Sequence, residues 1–353
     1  MSFKRLDPED ISISAESIVQ PAWSSQATTL TDIFLSAGQI ASNTGNYYYE
    51  VYDKATSDAT ARIQYSITYG HKTGLGSVPY DSTVPGKSPS STIYGQYRNL
   101  VFGDEETDFN FITQQSDDIY VISVDRSRYK EKLFPGTFNL ILGSGSAGPA
   151  LSLTDNSNEI STVSFVDAGR VYDIISGSNG RAWDSAAGGS TNGYNVAGGS
   201  YGKFLPDVGI VLLSGAALNT LPAGGGLGIG TSTSVASSGE KNMQKLFNVL
   251  NEASTNGAIK RGKSFQLQSE ETISSNYVFV RVRNGEFNYS TNPSNITSSG
   301  ELRHDVMINT PQAYITTVGM YNDDNDLLGV AKLSRPLLKD FTKEALVRIK
   351  LDY

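Results

Sequence analysis

Apolar and polar residues alternate with a period of two along much of the chain, and this alternation predicts a protein built mainly from β-strands. In residues 60–69, Ile63, Tyr65, Ile67 and Tyr69 alternate with polar side chains. β-Branched and aromatic residues at every second position are typical of a strand with one buried face. Similar short strands are predicted at 47–53, 119–125, 137–142, 151–154, 160–166, 171–175 and 207–213.

The C-terminal part of the chain is also rich in strand patterns. Two predicted strands, 277–283 and 286–290, flank Asn284-Gly285, a dipeptide that favours the type I′ turn of a hairpin. Two more, at 313–321 and 327–333, flank a turn of Asn and Asp residues. In a final strand at 346–352 we expect the apolar side chains to point inward and the basic ones outward: Val347, Ile349 and Leu351 against Arg348 and Lys350.

Two segments have helical spacing instead. Ser88-Pro89 has the form of a helix N-cap followed by proline at the first helical position, and apolar residues follow at Ile93, Tyr97, Leu100 and Val101. Residues 240–253 carry one apolar stripe with i, i+3, i+4, i+7 spacing, which predicts an amphipathic helix. The stripe consists of Met243, Leu246, Phe247 and Leu250.

Gly/Ser-rich tracts at about 176–202 and 223–239 interrupt these patterns. Many short strands with turn residues between them favour a mainly β fold of antiparallel β-sandwich or barrel-like domains with one or two short helices. We predict four regions: an extended N-terminal arm at 1–30, a β-rich domain at 31–215 with the first tract as an insertion, the second tract with helix 240–253 at 216–260, and an antiparallel β domain at 261–353. The apolar residues of the arm are too scattered for a core, so we expect it to pack against a neighbouring subunit.

Composition excludes several classes of function. Lys and Arg number 28 against 36 Asp and Glu, and the resulting net charge of −8 argues against nucleic-acid binding. The absence of cysteine excludes a disulfide framework, a thiolate nucleophile and a cysteine-based metal site. No apolar run approaches the ~20 residues of a membrane span, and the N-terminus lacks the apolar segment of a signal peptide.

Three short motifs resemble nucleotide-binding or catalytic signatures but lack the surroundings that those signatures need. Gly143–Gly148 spells G-x-G-x-x-G, yet Pro149 and another strand follow where a helix N-terminus must hold the pyrophosphate. Gly86-Lys87-Ser88 ends like a phosphate-binding loop, but Asp81 stands where the first glycine is needed. Gly198–Gly202 matches G-x-S-x-G without the strand and helix that flank a nucleophile elbow.

The remaining titratable residues form no catalytic or metal-binding pattern. We interpret the acidic cluster at 104–108 as a solvated loop and the one at 323–326 as a hairpin turn. His71 and His304 lack clustered partners and are interpreted as polar surface residues. We therefore predict that the chain is not an enzyme and that it has no catalytic, cofactor-binding or metal-binding residues.

The strongest basic cluster on this acidic chain lies in residues 125–136, where Arg126, Arg128, Lys130 and Lys132 occur within seven positions. It has no broader basic surface around it, which argues against a nucleic-acid site. Two interpretations stay open: a polar strand end with its turn, or a contact surface for an acidic neighbour.

Several stretches spread over nearly the whole chain, outside the Gly/Ser tracts, resemble one family. They are Phe3-Lys4-Arg5-Leu6-Asp7-Pro8-Glu9-Asp10-Ile11, Lys87-Ser88-Pro89-Ser90, Ile93-Tyr94-Gly95-Gln96-Tyr97-Arg98, Arg128-Tyr129-Lys130-Glu131-Lys132-Leu133, Pro135-Gly136-Thr137-Phe138, Phe287-Asn288-Tyr289-Ser290, Asn292-Pro293, Tyr314-Ile315-Thr316-Thr317-Val318-Gly319, Tyr321-Asn322 and Ala331-Lys332-Leu333-Ser334-Arg335-Pro336. These look like virion structural proteins of contractile-tailed, T-even-like bacteriophages, a group with many marine and cyanobacterial members. No catalytic motif is associated with these stretches.

The resemblance implies a virion component that is assembled in the host cytoplasm. The pattern from Thr316 to Pro336 is similar to β-domains of phage baseplate and tail-attachment proteins, which implies a place in the contractile tail, its baseplate or the fibre-attachment region. The implied partners are other virion proteins, with the chain present in multiple copies and with no nucleic acid and no membrane span.

We predict that subunit contacts involve the arm and the basic segment: Phe3, Lys4, Arg5, Leu6, Trp23, Arg126, Arg128, Tyr129 and Lys130. The alternative function is a surface protein, either receptor-binding or a capsid decoration protein, that binds carbohydrate. An exposed group of Trp and Tyr side chains over a groove would favour that alternative.

Overall fold

A computed structural model describes residues 7–23, 32–35, 48–54, 57–77, 83, 87–111, 114–143, 151–182, 200–222, 225–233, 239–255 and 265–352. The protein is mainly β, with 46% strand and 15% helix, and its antiparallel sheets include a curled half-barrel. The predicted fold class is therefore confirmed.

Short strands dominate the order of elements along the chain. The strands are β1 (Ile11–Pro21), β2 (Asp32–Leu35), β3 (Tyr48–Tyr52), β4 (Ile63–His71), β5 (Asn110–Phe111), β6 (Gln114–Gln115), β7 (Asp118–Val124), β8 (Lys132–Leu133), β9 (Asn139–Leu142), β10 (Leu151–Asp155), β11 (Ser164–Val166), β12 (Gly169–Ser178), β13 (Arg181–Ala182), β14 (Gly202–Leu205), β15 (Ile210–Ser214), β16 (Phe265–Gln266), β17 (Gln268–Val282), β18 (Gln312–Tyr321), β19 (Leu327–Asp340) and β20 (Ala345–Asp352). The helices are α1 (Pro89–Phe102), α2 (Gly215–Asn219), α3 (Gly239–Thr255) and α4 (Asp305–Asn309), with 3₁₀ turns at Pro8–Asp10 and Arg126–Arg128.

The chain forms two compact units. The larger unit is Ile18–Glu271, and the smaller unit combines Met1–Ser17 with Thr272–Tyr353. The predicted arm is thus divided between the two units, and its eleven residues after the 3₁₀ turn form strand β1. Helix α3, which we assigned to a region of its own, contributes its apolar stripe to the core of the larger unit.

The larger unit is organised around one long antiparallel sheet. Its ten strands follow the order β16-β9-β10-β12-β14-β15-β7-β4-β3-β2, with β11 and β13 paired to β12. One face carries Tyr65 and Ile67 of β4 and Ile122 of β7 into the main core, together with the apolar stripe of α3. The opposite face carries Ile119 and Val121 into a second core beneath α1. Because both faces are covered, the central strand β15 is buried along its whole length.

Helix α1 confirms the prediction made from Ser88-Pro89. Pro89 occupies the first helical turn, and Gly103 ends the helix in the left-handed conformation with φ of 73°. The Ser88 hydroxyl donates to the carbonyl oxygen of Gly74 at 2.7 Å, which ties the start of the helix to the loop after β4. Gly70 allows the helix to approach, since a Cβ there would lie 2.9 Å from the backbone nitrogen of Tyr94.

The predicted amphipathic helix at 240–253 is confirmed as α3. All four residues of its apolar stripe, Met243, Leu246, Phe247 and Leu250, are buried. The helix covers the inner face of the sheet, where burial of each such side chain stabilises the fold by about 1.5–3 kcal/mol.

The smaller unit contains a sheet of order β1-β17-β20 and the separate hairpin β18-β19. Strand β20 pairs with β17 from Ser275↔Asp352 to Val282↔Ala345. Its inward residues match the prediction, because Val347 and Ile349 are buried and Leu351 is half-buried, whereas Arg348 and Lys350 are exposed. The predicted hairpin of 313–321 with 327–333 is confirmed as β18 and β19, although β19 extends to Asp340.

The predicted hairpin around Asn284-Gly285 is wrong. Strand β17 ends at Val282, and residues 286–290 form a loop. The reason is Lys339, which is fully buried. Its ammonium group donates to the carbonyl oxygen of Asn284 at 3.0 Å and to the side-chain oxygen of Asn288 at 2.7 Å. A buried cation needs such acceptors, so the loop closes around Lys339 instead of continuing as a strand.

Two further differences concern strand boundaries. The strand predicted at 160–166 begins only at Ser164. Strand β14 was missed because it starts at Gly202, the end of the first Gly/Ser tract, and it pairs with β15 from Gly202↔Leu213 to Leu205↔Ile210. Residues 183–199 of that tract, and the second tract at 223–224 and 234–238, lie outside the described residues.

Candidate interaction surfaces

The basic segment follows β7 as a short turn. The Asp125 carboxylate accepts a hydrogen bond from the Ser127 backbone N–H at 2.9 Å and so begins the 3₁₀ turn that contains Arg126 and Arg128. The Arg126 guanidinium lies 4.6 Å from the centre of the Tyr129 ring and donates to the Tyr129 carbonyl oxygen. Tyr129 itself is buried. Arg126 is exposed, and Arg128 is half-buried.

Acidic side chains of the same chain lie beside the other two bases of this segment. Lys130 pairs with Glu271 at 2.9 Å, and Lys132 pairs with Glu270 at 3.7 Å. The pairing strands are β8 and β17, with Glu270 opposite Lys132. One of our two interpretations of the basic segment was a contact surface for an acidic neighbour. For Lys130 and Lys132, the acidic neighbours are Glu271 and Glu270 of the same chain.

Trp23 lies in the core of the larger unit and not on a surface that a partner could contact. It is only 2% exposed. Its ring lies 5.5 Å from that of Phe265 and 6.2 Å from that of Tyr65. Of the other predicted contact residues in the arm, Phe3, Lys4, Arg5 and Leu6 are outside the described residues.

A pocket of about 380 Å³ lies beside the basic segment, on the face of the sheet that α1 also covers. Its floor is a polar row across three strands, because Glu50 pairs with Ser66 and Ser66 pairs with Ser123. Tyr48 and Tyr129 are among the lining side chains. The Tyr52 hydroxyl donates to the Glu50 carboxylate at 2.7 Å, and this hydrogen bond raises the pKa of Tyr52 to about 12.

Asp118, at the start of β7, is a buried carboxylic acid whose pKa is raised well above its usual value. Burial raises the pKa of this carboxyl to about 6. The Ser116 hydroxyl lies 3.1 Å from a side-chain oxygen of Asp118 and 2.7 Å from the Asp118 carbonyl oxygen. The same hydroxyl accepts a hydrogen bond from the Ala216 backbone N–H. A Cβ at Gly215 would collide with the carboxylate. Asp118 and Ser116 thus fix the start of α2 against β7.

The motifs that we rejected by sequence have structural roles where they are described. Ser200, the central residue of Gly198–Gly202, is buried and donates to the carbonyl oxygen of Gly202. The Asp104 carboxylate accepts hydrogen bonds from the Glu106 and Thr107 backbone N–H groups, which closes a tight turn. Residues 144–150 and 84–86 of the other two motifs lie outside the described residues.

The interpretation of His71 as a surface residue is wrong, because the residue is buried at the end of β4. Its Nδ1 accepts a hydrogen bond from the Thr73 backbone N–H at 3.1 Å, and burial lowers its pKa.

Within the described part of the chain, no three His, Cys, Asp or Glu side chains gather as a metal site would require. None of the helices in that part is both long enough and apolar enough to cross a bilayer.

Apolar side chains are exposed mainly in the smaller unit. Of the eighteen large hydrophobic residues that are exposed in the described part of the chain, thirteen lie there. They are Ile11, Ile13, Phe287, Tyr289, Val306, Ile308, Tyr314, Tyr321, Leu327, Leu328, Val330, Phe341 and Leu346. Sequence reasoning did not find this surface, because alternation shows that a strand has two faces but not which faces remain uncovered.

Comparison with known proteins identifies no relative. The sequence matches no protein-family model, no curated protein and no solved structure.

Proposed function

We propose that this chain is a non-enzymatic structural subunit of a bacteriophage particle, placed in the contractile tail, its baseplate or the fibre-attachment region. Support comes from the resemblance of the sequence stretches described above and, independently, from the exposed apolar surface of the smaller unit. In this proposal the chain is assembled in the host cytoplasm and resides in the virion, in multiple copies beside other virion proteins.

The observation that carries the proposal is that the smaller unit buries few of its apolar side chains. Among the described residues, its core cluster holds three buried apolar side chains, Val278, Val347 and Ile349, with half-buried neighbours that include residues of β18 and β19. Apolar patches of this extent on a soluble protein mark interaction surfaces. A subunit whose remaining apolar surface is covered during assembly needs only a small core of its own.

The buried polar groups of the larger unit also support a structural role. Ser116, Asp118 and Ser200 lie within hydrogen-bond networks that fix turns and helix starts, which is a use of polar side chains that folding alone explains. The net charge of −8 favours protein partners over nucleic acid.

The alternative, a carbohydrate-binding surface or decoration protein, is favoured by one observation, the pocket beside Tyr48 and Tyr129. The lining of the pocket combines two tyrosines with hydroxyl and carboxylate groups, and this combination is suited to a sugar, because aromatic rings contact the apolar faces of sugars and polar groups bind their hydroxyls. Binding of host surface polysaccharide to the full chain, abolished in Tyr48→Ala and kept in Phe165→Ala, would favour the alternative.

The deciding experiment for the first proposal uses phage particles whose heads have been detached from the tails. We expect mass spectrometry to find this chain in the purified tail fraction at a stoichiometry above one per tail. Recovery only with heads would favour the decoration alternative. Absence from washed particles would overturn the proposal that the chain is a virion subunit.

A further inference from the structure

The sheet β1-β17-β20 of the smaller unit has two edges that carry opposite charge. In the described part of the chain, β1 and β20 each pair only with β17, which leaves one side of each strand open. Open edges present unpaired N–H and C=O groups that can accept another strand. Natural proteins commonly blunt such edges with bulges, prolines or covering loops, yet β1 is exposed along all of its eleven residues.

The β1 edge, together with the turn that precedes it, is acidic. Residues 7–17, which comprise the 3₁₀ turn and the start of β1, contain four carboxylates and no basic side chain: Asp7, Glu9, Asp10 and Glu16. Asp7 and Glu9 are exposed, and Glu16 makes only a long 3.8 Å pair with Lys350.

The β20 edge is basic. Arg348 and Lys350 are exposed on it, against a single acidic residue, Asp352. Arg348 has no carboxylate within ion-pair distance among the described residues, and its guanidinium lies 5.5 Å from the centre of the Tyr277 ring on the neighbouring strand. Lys350 pairs with Asp352 at 3.1 Å and lies 6.0 Å from the same ring.

Each edge also carries an apolar side chain with nothing to cover it. Ile13 of β1 is 71% exposed, and Leu346 of β20 is 66% exposed. A strand added to either edge would bury the adjacent apolar side chain as well as pair the backbone. The two edges thus match each other in charge and in apolar character.

We propose that the smaller unit assembles with further copies of this chain by joining the β1 edge of one copy to the β20 edge of the next. This contact is head-to-tail, so it produces a closed ring when the rotation between copies closes, and a filament when it does not. The inference rests on the proposed structural role and specifies its partner as a second copy. The charge match selects this arrangement over β1 against β1, which would place acidic edges together.

The test uses two full-length charge variants and sedimentation velocity at low and high salt. Variant A, Arg348→Glu with Lys350→Glu, has two acidic edges, and variant B, Asp7→Lys with Glu9→Lys and Glu16→Lys, has two basic edges, because only Asp10 remains of the four carboxylates. We expect the wild type to self-associate and each variant alone to associate roughly tenfold or more weakly. We expect an equimolar mixture of A and B to recover association, because each contact between one copy of A and one copy of B again joins an acidic edge to a basic one.

A second pair of variants tests the exposed apolar side chain of the β1 edge. Ile13→Lys removes this side chain and places a basic charge opposite the basic β20 edge of the next copy. Phe165→Lys is its matched control, because Phe165 is 72% exposed on β11 of the larger unit. We expect Ile13→Lys to lose association while Phe165→Lys keeps it, with circular dichroism confirming that both fold.

Three results would overturn the inference. They are a wild type that stays monomeric, a mixture of A and B that does not recover association, and a variant A that dimerises as well as the wild type, which would indicate β1 against β1. Failure here is distinguishable from failure of the proposed function, since mass spectrometry of purified tails detects the chain whether or not it pairs with its own copies.

Discussion

The two units of this protein stabilise their strands in different ways. In the larger unit, a long antiparallel sheet is covered on both faces, and its main core includes aromatic clusters such as Phe138, Phe204 and Phe265. In the smaller unit, a three-stranded sheet packs on one hairpin around Val278, Val347 and Ile349. Most of the exposed large hydrophobic residues belong to the smaller unit.

The difference indicates which interactions contribute most to the free energy of folding of each unit. Burial of apolar area is the dominant favourable contribution to folding, and the larger unit obtains it within its own chain. The smaller unit buries few apolar side chains, so hydrogen-bonded strand pairing and local devices such as the Lys339 loop contribute a larger share. A partner that covers the exposed strands would then raise its stability through binding.

The largest effect is expected from a charge in the small core. Ile349→Asp removes a buried apolar side chain and places a carboxylate in the small core, so we expect a loss of more than about 4 kcal/mol and unfolding of the smaller unit alone. Limited proteolysis should release residues after 272 while the larger unit resists. Leu346→Asp, exposed on the same strand, is the control and should unfold like the wild type. Tolerance of Ile349→Asp would mean that the register of β20 is wrong.

A substitution in the larger core should lower the free energy of unfolding of that unit. The ring of Phe138 is fully buried and lies 5.1 Å from that of Phe204 and 5.8 Å from that of Phe265. We expect Phe138→Ala to cost about 3–5 kcal/mol in urea unfolding. Phe165→Ala removes the same side chain from an exposed position and should stay within about 0.5 kcal/mol. Equal losses for both variants would contradict the assigned core.

Asp118 gives the larger unit a pH dependence of its own. The pKa of its carboxyl is raised from 3.8 to about 6 by burial, so the folded state binds the proton more tightly than the unfolded state. The stabilisation from this group is fully present below pH ~4 and is lost as the pH rises through ~6, with a magnitude of up to about 3 kcal/mol. Unfolding titrations between these pH values should show this slope in the wild type and lack it in Asp118→Asn. A slope that persists in the variant would assign the effect to another group.

The smallest effect is expected where the smaller unit depends on one buried cation. Lys339→Met keeps most of the side-chain volume but leaves the Asn284 and Asp340 carbonyl oxygens and the Asn288 side chain without their donor. We expect a loss of about 1–3 kcal/mol, confined to the smaller unit. Lys343→Met, at an exposed position in the turn before β20, should change unfolding by less than about 0.5 kcal/mol. A neutral Lys339→Met would show that the loop does not need the ammonium group.

The candidate surfaces were less predictable from sequence than the fold. The basic segment was found, but the pairing of Lys130 with Glu271 joins positions far apart in the chain, and no local pattern shows it. We predicted that Trp23 contacts a neighbouring subunit, because the apolar residues of the arm are too scattered for a core of its own. In the structure the Trp23 ring packs against Tyr65 and Phe265 of the same chain. A residue's neighbours in sequence do not reveal which distant strands will cover it.

Local sequence patterns were sufficient to predict the strands and helices that depend on interactions between residues close together in the chain. Period-two alternation specified β4 and β20, Ser88-Pro89 began α1, and the i, i+3, i+4, i+7 stripe specified α3, because these signals act within a few residues. Three outcomes could be seen only in the folded protein: the loop that Asn284-Gly285 forms around Lys339, the burial of Asp118 and His71, and the exposed apolar side chains of the smaller unit. Those outcomes depend on long-range packing, in which the burial of one group changes the electrostatic and hydrogen-bonding needs of its neighbours.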